Sequence, residues 1–144
     1  MKEVFEENIG LLIHDVGRLL RVLYDRQMAS IGLTRSQWLL LTYLYFKDGI
    51  NQTELASLMD MEKAPLSRLL DRMEIKGWII RKNETNDRRI KNIYLSESIK
   101  PLVSSLREKA AKYRKDSLSI LSDKELNKLR DLLQVLKKDL TSKL

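Results

Sequence analysis

The hydrophobic period of this chain changes at Gly77. Upstream of it, apolar residues recur three and four apart, as on one face of an amphipathic helix. Immediately downstream, Trp78-Ile79-Ile80-Arg81-Lys82 is aromatic and β-branched and reads as a strand. Lys91-Asn92-Ile93-Tyr94-Leu95 alternates and reads as the return strand, which leaves Asn83 to Arg89 as a polar hairpin tip. Five glycines and two prolines in 144 residues agree with long helices rather than a turn-rich fold.

The helices can be placed by their caps. Phe5, Ile9, Leu12, Ile13, Val16, Leu19, Leu20, Leu23 and Met28 predict a helix over residues 5–29, stopped by Gly32. Thr34-Arg35-Ser36-Gln37 has capping-box form and starts a second helix that runs to about Lys47. Asn51-Gln52-Thr53-Glu54 opens a short helix, Thr53 to Leu58, and a further helix follows from Lys63 to Lys76. Ser96 is expected to cap the next helix, with Pro101 in its second turn, where a lost hydrogen bond would bend it. Ser122-Asp123-Lys124-Glu125 caps the last helix, whose Leu126, Leu129, Leu133, Leu136 and Leu140 lie close to one stripe. The expected fold is therefore mainly α with a small two- or three-stranded β-wing: a winged helix-turn-helix at about 34–96, flanked by long helices at about 5–30 and 97–143.

Charge separates this central region from the rest. Residues 63–91 hold nine basic and four acidic groups, whereas residues 32–62 hold two and four. A concentrated basic segment of this kind is the footprint expected for a polyanion. Residues 92–144 hold twelve basic and seven acidic groups, interleaved as on ordinary solvated helices. On the 63–76 helix, Leu66, Leu69, Leu70 and Met73 form the apolar stripe, while Lys63, Ala64, Ser67, Arg68 and Arg72 face away from it. A helix of this kind fits the major groove of DNA, and a basic hairpin tip fits the neighbouring minor groove. Asp87-Arg88-Arg89-Ile90-Lys91 supplies that tip, with Asp87 placed to hold an arginine by a bidentate contact.

Other chemistries lack their residues. The chain has no cysteine and one histidine, which removes disulfides, thiolate catalysis and Cys- or His-rich metal sites. It shows no nucleophile–base pair, glycine-rich phosphate loop or metal-ligand spacing, so an enzyme is not expected and no cofactor is expected. Its aromatic residues do not form an RNA-binding sheet surface. His14 lies beside Asp15 on the first helix, and nothing in the sequence requires a functional role for it. The longest apolar run, Trp38 to Leu41, is far short of a membrane span, and the acidic start MKEVFEEN lacks a secretory h-region. A soluble, cytoplasmic protein is expected.

Several segments resemble the MarR family of bacterial regulators, and within it the SlyA-like branch. They are Thr34 to Trp38, Gln52 to Ala56, Leu69 to Ile79, Asn86 to Arg89 and Tyr94 to Glu97. The resemblance implies one domain over 1–144 and a homodimer intertwined through residues about 5–30 and 97–143. It implies that each recognition helix reads half of a pseudo-palindrome in double-stranded DNA. It places DNA contacts on Lys63, Ala64, Pro65, Ser67 and Arg68. In the wing it puts Arg89 in the minor groove with Asp87 as its salt-bridge partner, and Arg88 and Lys91 on the phosphate backbone. The family's cysteine-based redox sensing and multi-histidine zinc sensing have no residues here. A small aromatic acid, as bound by many relatives, would find Arg18, Arg21, Trp38 and Thr42 on the first two long helices. The competing readings are a ligand-independent anti-silencer and a winged-helix module that binds protein, although a protein-binding wing would more often be apolar than Arg88-Arg89-Lys91.

Overall fold

A computed structural model describes residues 4–144 of the chain. A 3-10 turn, Phe5–Glu7, precedes six α-helices and three short strands. The helices are α1 (Ile9–Ala29), α2 (Arg35–Phe46), α3 (Gln52–Leu58), α4 (Lys63–Ile75), α5 (Lys100–Ser117) and α6 (Asp123–Ser142). The strands are β1 (Ile50–Asn51), β2 (Ile79–Asn83) and β3 (Lys91–Leu95). The chain divides into two compact units, Met1–Lys109 and Ala110–Leu144. Among the described residues no helix is long and apolar enough to cross a membrane.

The caps expected at Thr34, Asn51 and Ser122 form. Thr34 Oγ1 accepts from the Gln37 amide while the Gln37 side chain accepts from the Thr34 amide, and Ser122 and Glu125 make the same reciprocal pair. Asn8 caps α1 and Asn51 caps α3, each by accepting an amide three residues on. α4 closes in a Schellman motif: Gly77, at φ +71°, donates to Glu74 O and Trp78 donates to Met73 O. The turn between α3 and α4 repeats this pattern with a non-glycine residue. Asp60 adopts φ +50°, its amide reaching Ser57 O and the Met61 amide reaching Ala56 O. Aspartate tolerates the left-handed region better than most side chains, so a tight helix-turn-helix connection forms without glycine.

Within the first unit, α2, α3, α4 and the sheet share one core. Leu40, Leu41 and Leu44 of α2, Leu55 of α3, and Leu66, Leu69, Leu70 and Met73 of α4 are essentially solvent-free. Ile79, Ile93 and Leu95 close the core from the sheet, each such side chain contributing about 1.5–3 kcal/mol of hydrophobic stabilisation. The sheet is antiparallel in the order β1-β3-β2. Its register sets Ile50 opposite Ile93, Ile79 opposite Leu95, Ile80 opposite Tyr94 and Arg81 opposite Ile93. By contrast, α1 leaves Ile9, Leu12, Ile13, Val16, Leu19 and Leu23 exposed. In the second unit, α6 leaves Leu129, Leu133, Leu136 and Leu140 exposed.

Several boundaries differ from the sequence expectation, each for a local reason. Trp78 is not in the strand, because its amide completes the α4 cap. Ser96 does not cap α5. Its hydroxyl bonds Gly77 O at 2.6 Å, a turn follows, and the helix starts only at Lys100. Pro101 therefore lies in the first turn of α5, where its missing N–H has no helical acceptor to lose. The wing sheet has three strands, within the two or three expected, and Asn51 both ends β1 and caps α3, so α3 begins at Gln52 rather than Thr53.

Candidate nucleic-acid interface

The N-terminus of α4 stands open. Its N-cap, Glu62, makes no side-chain capping bond, so the first-turn amides are not closed by the chain's own carboxylate. Lys63 and Ala64 are exposed, Pro65 and Ser67 are half-buried, and Arg68 is exposed one turn on. Pro65 stands third in the helix, where no amide hydrogen bond is required. The stripe Leu66, Leu69, Leu70 and Met73 is wholly buried, so packing fixes which face these polar residues present.

The wing tip is held by one aspartate. Asp87 Oδ1 accepts from the Arg89 backbone amide at 3.0 Å and from Arg89 Nε at 3.1 Å, while Oδ2 accepts from Nη2 at 3.1 Å. The side chain of Arg89 nevertheless remains 90% exposed. A bidentate pair thus orients a guanidinium that still faces solvent. Donation from the Arg89 side chain, then from its amide, holds the Asp87 carboxyl below the usual aspartate value. At the base of the loop, the Glu84 amide reaches Ile90 O at 2.8 Å, and Asn92 Nδ2 donates to Glu84 Oε2 at 3.0 Å. Lys82 Nζ lies 5.4 Å from the Tyr94 ring centroid.

Between α4 and the wing is a cleft of about 580 Å³. Lys63 and Ser67 of the helix and Arg89 and Lys91 of the wing line it, four candidate residues from two separate elements. Ala64, Pro65, Arg68 and Arg88 are not part of its lining. The fold adds Asn51, Gln52 and Thr53 from the start of α3, together with Arg81 and Ile90. In the sequence the first group carries only the Asn51–Glu54 cap and the family-like segment Gln52 to Ala56, neither of which marks a cleft. Arg81 is anchored by Glu74 and Asp71 of α4; burial alone would lower its pKa, but these carboxylates outweigh that and raise it.

The four residues proposed for an aromatic acid lie on α1 and α2. Asp25 ties together much of this region: it pairs with Arg35, accepts from Trp38 Nε1 at 3.4 Å, and feels the charge of Arg21. Arg35 is the main cause of its lowered pKa. Arg18 pairs with Asp15 at 3.5 Å, and Thr42 Oγ1 accepts from Arg107 Nη1 at 3.5 Å. His14 is exposed on α1. Among the described residues no group of three or more His, Asp or Glu is placed to hold a metal ion.

Comparison with known proteins agrees with this geometry. Residues 33–91 match the MarR family model. The crystal structure of the transcriptional regulator SlyA is 26% identical with TM-score 0.78, over 94% of this chain and 96% of that one. A MarR transcriptional regulator from Methanosarcina mazei Go1 is 22% identical with TM-score 0.81, over 94% and 98%. A MarR mutant from E. coli, complexed with operator DNA, is 24% identical with TM-score 0.76, over 94% and 99%. The chain therefore has the winged-helix fold of the MarR regulators, and the segment that builds its α4–wing cleft is the one similar to the MarR family.

Proposed function

We propose that this protein is a MarR-type, SlyA-like transcription regulator that binds double-stranded DNA as a homodimer over a pseudo-palindrome. The observation that carries the reading is the cleft where Lys63 and Ser67 of α4 meet Arg89 and Lys91 of the wing. Recognition helix and wing turn their cations to one surface, as simultaneous contact with neighbouring grooves requires. Lys63, Ala64, Pro65, Ser67 and Arg68 would meet the major groove. Arg89, held by Asp87, would enter the minor groove, and Arg88 and Lys91 would contact phosphates. The operator-bound relative adds support, as do the exposed apolar faces of α1 and α6, which suit the dimer helices at about 5–30 and 97–143. The chain would act as one functional domain.

Regulation by a small aromatic carboxylate at Arg18, Arg21, Trp38 and Thr42 is the second part of the proposal. Its support is that Trp38 Nε1 and the charge of Arg21 both act on Asp25, which puts a ring and a cation in one region of α1 and α2; a ligand carboxylate would compete with Asp25 for them. A ligand there would act by binding one dimer geometry more tightly than another, because the recognition helices must sit about 34–36 Å apart to enter successive major grooves.

Selection of bound duplexes from a random library is the deciding experiment. The expected outcome is an inverted repeat with half-sites one helical turn apart, bound by a dimer in sedimentation. Affinity for it should fall with salt at a log–log slope of roughly −0.9 per neutralised phosphate. Absence of enrichment, or an interaction indifferent to salt, overturns the reading.

A further inference from the structure

Arg81 occupies a position where the sheet calls for an apolar side chain. The register sets it opposite Ile93, which is fully buried, and on the same face as Ile79, which is 2% exposed. Its side chain is only 18% exposed. What makes a guanidinium tolerable there is α4. Arg81 Nε and Nη2 donate to Glu74 Oε2 at 3.0 and 2.6 Å, and Nη2 also donates to Asp71 Oδ1 at 2.5 Å. Asp71 and Glu74 are three apart and so share one helix face. A planar fork engaging two carboxylates fixes direction as well as distance, which a lysine ammonium cannot do.

The covalent link between α4 and β2 is only residues 76–78, ending in the Gly77 turn. From Arg81 to the wing tip at Asp87 is six residues, about 20 Å when extended, so a 10° tilt about this joint displaces the tip by roughly 3 Å. That is the length of a hydrogen bond. Two carboxylates already neutralise Arg81, so it adds little to the attraction for phosphate even though it lines the cleft beside Lys63 and Arg89.

We infer that Arg81 is a positioning residue: its fork on Asp71 and Glu74 sets the angle between recognition helix and wing, so that Arg89 reaches its groove while α4 occupies the other. This rests on the DNA-binding reading above. The test is a double-mutant cycle on the full chain with the selected duplex, comparing the parent, Arg89→Ala, Arg81→Gln and the double variant. In the parent background Arg89→Ala should weaken binding about tenfold, the scale of one good groove contact. In the Arg81→Gln background the same change should cost less than about twofold, because the wing is no longer delivered, and such non-additivity is the signature of coupling. Thermal unfolding of each variant checks that it is folded; a purely structural role would lower stability and leave the two factors equal. If Arg81→Gln does not fold, Glu74→Gln, at a half-exposed carboxylate, serves in the same cycle. Arg81→Lys should show intermediate coupling. Equal factors in both backgrounds, or no cost of Arg89→Ala in the parent, overturn the assignment while leaving duplex binding intact. A parent that binds no duplex overturns the DNA reading itself, and this one with it.

Discussion

Gly49 sits where the wing sheet meets the helical core, and replacing it with alanine tests that junction. Gly49 has φ +84°, and its amide donates to Ile93 O at 2.8 Å. A Cβ built there would lie 2.8 Å from Tyr94 Cε1, 3.2 Å from Cζ and 3.3 Å from the hydroxyl. Two costs follow. Holding a non-glycine residue in the left-handed region costs about 1–2 kcal/mol. Forcing the Tyr94 ring aside adds about 1–3 kcal/mol, the usual cost of overpacking. Gly77→Ala is the natural control, because Gly77 also has positive φ but nothing lies within 4 Å of its Cβ position. Gly49→Ala should therefore destabilise by about 2–5 kcal/mol and Gly77→Ala by about 1–2. Urea unfolding followed by tryptophan fluorescence reads both, at one fixed protein concentration because self-association shifts apparent stability. In a Tyr94→Ala background the Gly49→Ala cost should drop to that of Gly77→Ala. A cost unchanged by removal of the ring would refute the steric argument.

Arg89→Ala should lose roughly 1–3 kcal/mol of affinity for the selected duplex, measured by titration at constant salt, and an unaltered Kd would remove the wing from the interface. The carboxyl of Asp87 should titrate below 3.8 in a carbon NMR experiment. Because its pKa is depressed on folding, its hold on the wing is complete above that value and is lost as pH falls through the depressed midpoint. Arg89→Ala should move the midpoint part of the way back up, since the backbone amide bond persists, and a parent midpoint at or above 3.8 contradicts the geometry. Thr34→Ala removes one half of the α2 capping box and should cost about 1 kcal/mol in the same urea assay; no loss would mean that the cap is replaced by water. Salicylate should change Trp38 fluorescence in a Trp78→Phe variant and alter duplex affinity, and an effect on duplex affinity that survives Trp38→Phe unchanged would place the ligand elsewhere.

The parts legible in the sequence are those specified within a few residues. Capping boxes at Thr34 and Ser122, the glycine stop at Gly77 and the alternation in Lys91–Leu95 each name their own structure. What is not legible there depends on distant partners. Ile50-Asn51 is too short to show a period, and becomes a strand only because Ile93 and Asn92 lie opposite. Ser96 has the composition of a cap, but its hydroxyl is taken by Gly77 O, nineteen positions away. In the sequence Arg81 is simply one residue of an expected strand, and only the packing of α4 on the sheet sets it against Asp71 and Glu74. The candidate site divides in the same way. Its cations were visible as a local excess of charge, whereas the contribution of the α3 start to the same cleft follows from tertiary packing.

The pairing of Asp87 with Arg89 bears on how such a protein would travel along DNA. A carboxylate bound to the guanidinium cancels much of its long-range field, so Arg89 itself adds little to sequence-independent attraction. The same contact restricts the rotamers of a long side chain before DNA arrives, so less ordering entropy is lost when the groove is right. On the DNA-binding reading, Arg89 would be nearly silent while the protein slid and would become engaged only when a groove of suitable width accepted the guanidinium. Search speed and residence time would then be set by different residues: exposed Lys63, Arg68 and Arg88 for the first, and the Asp87–Arg89 pair for the second.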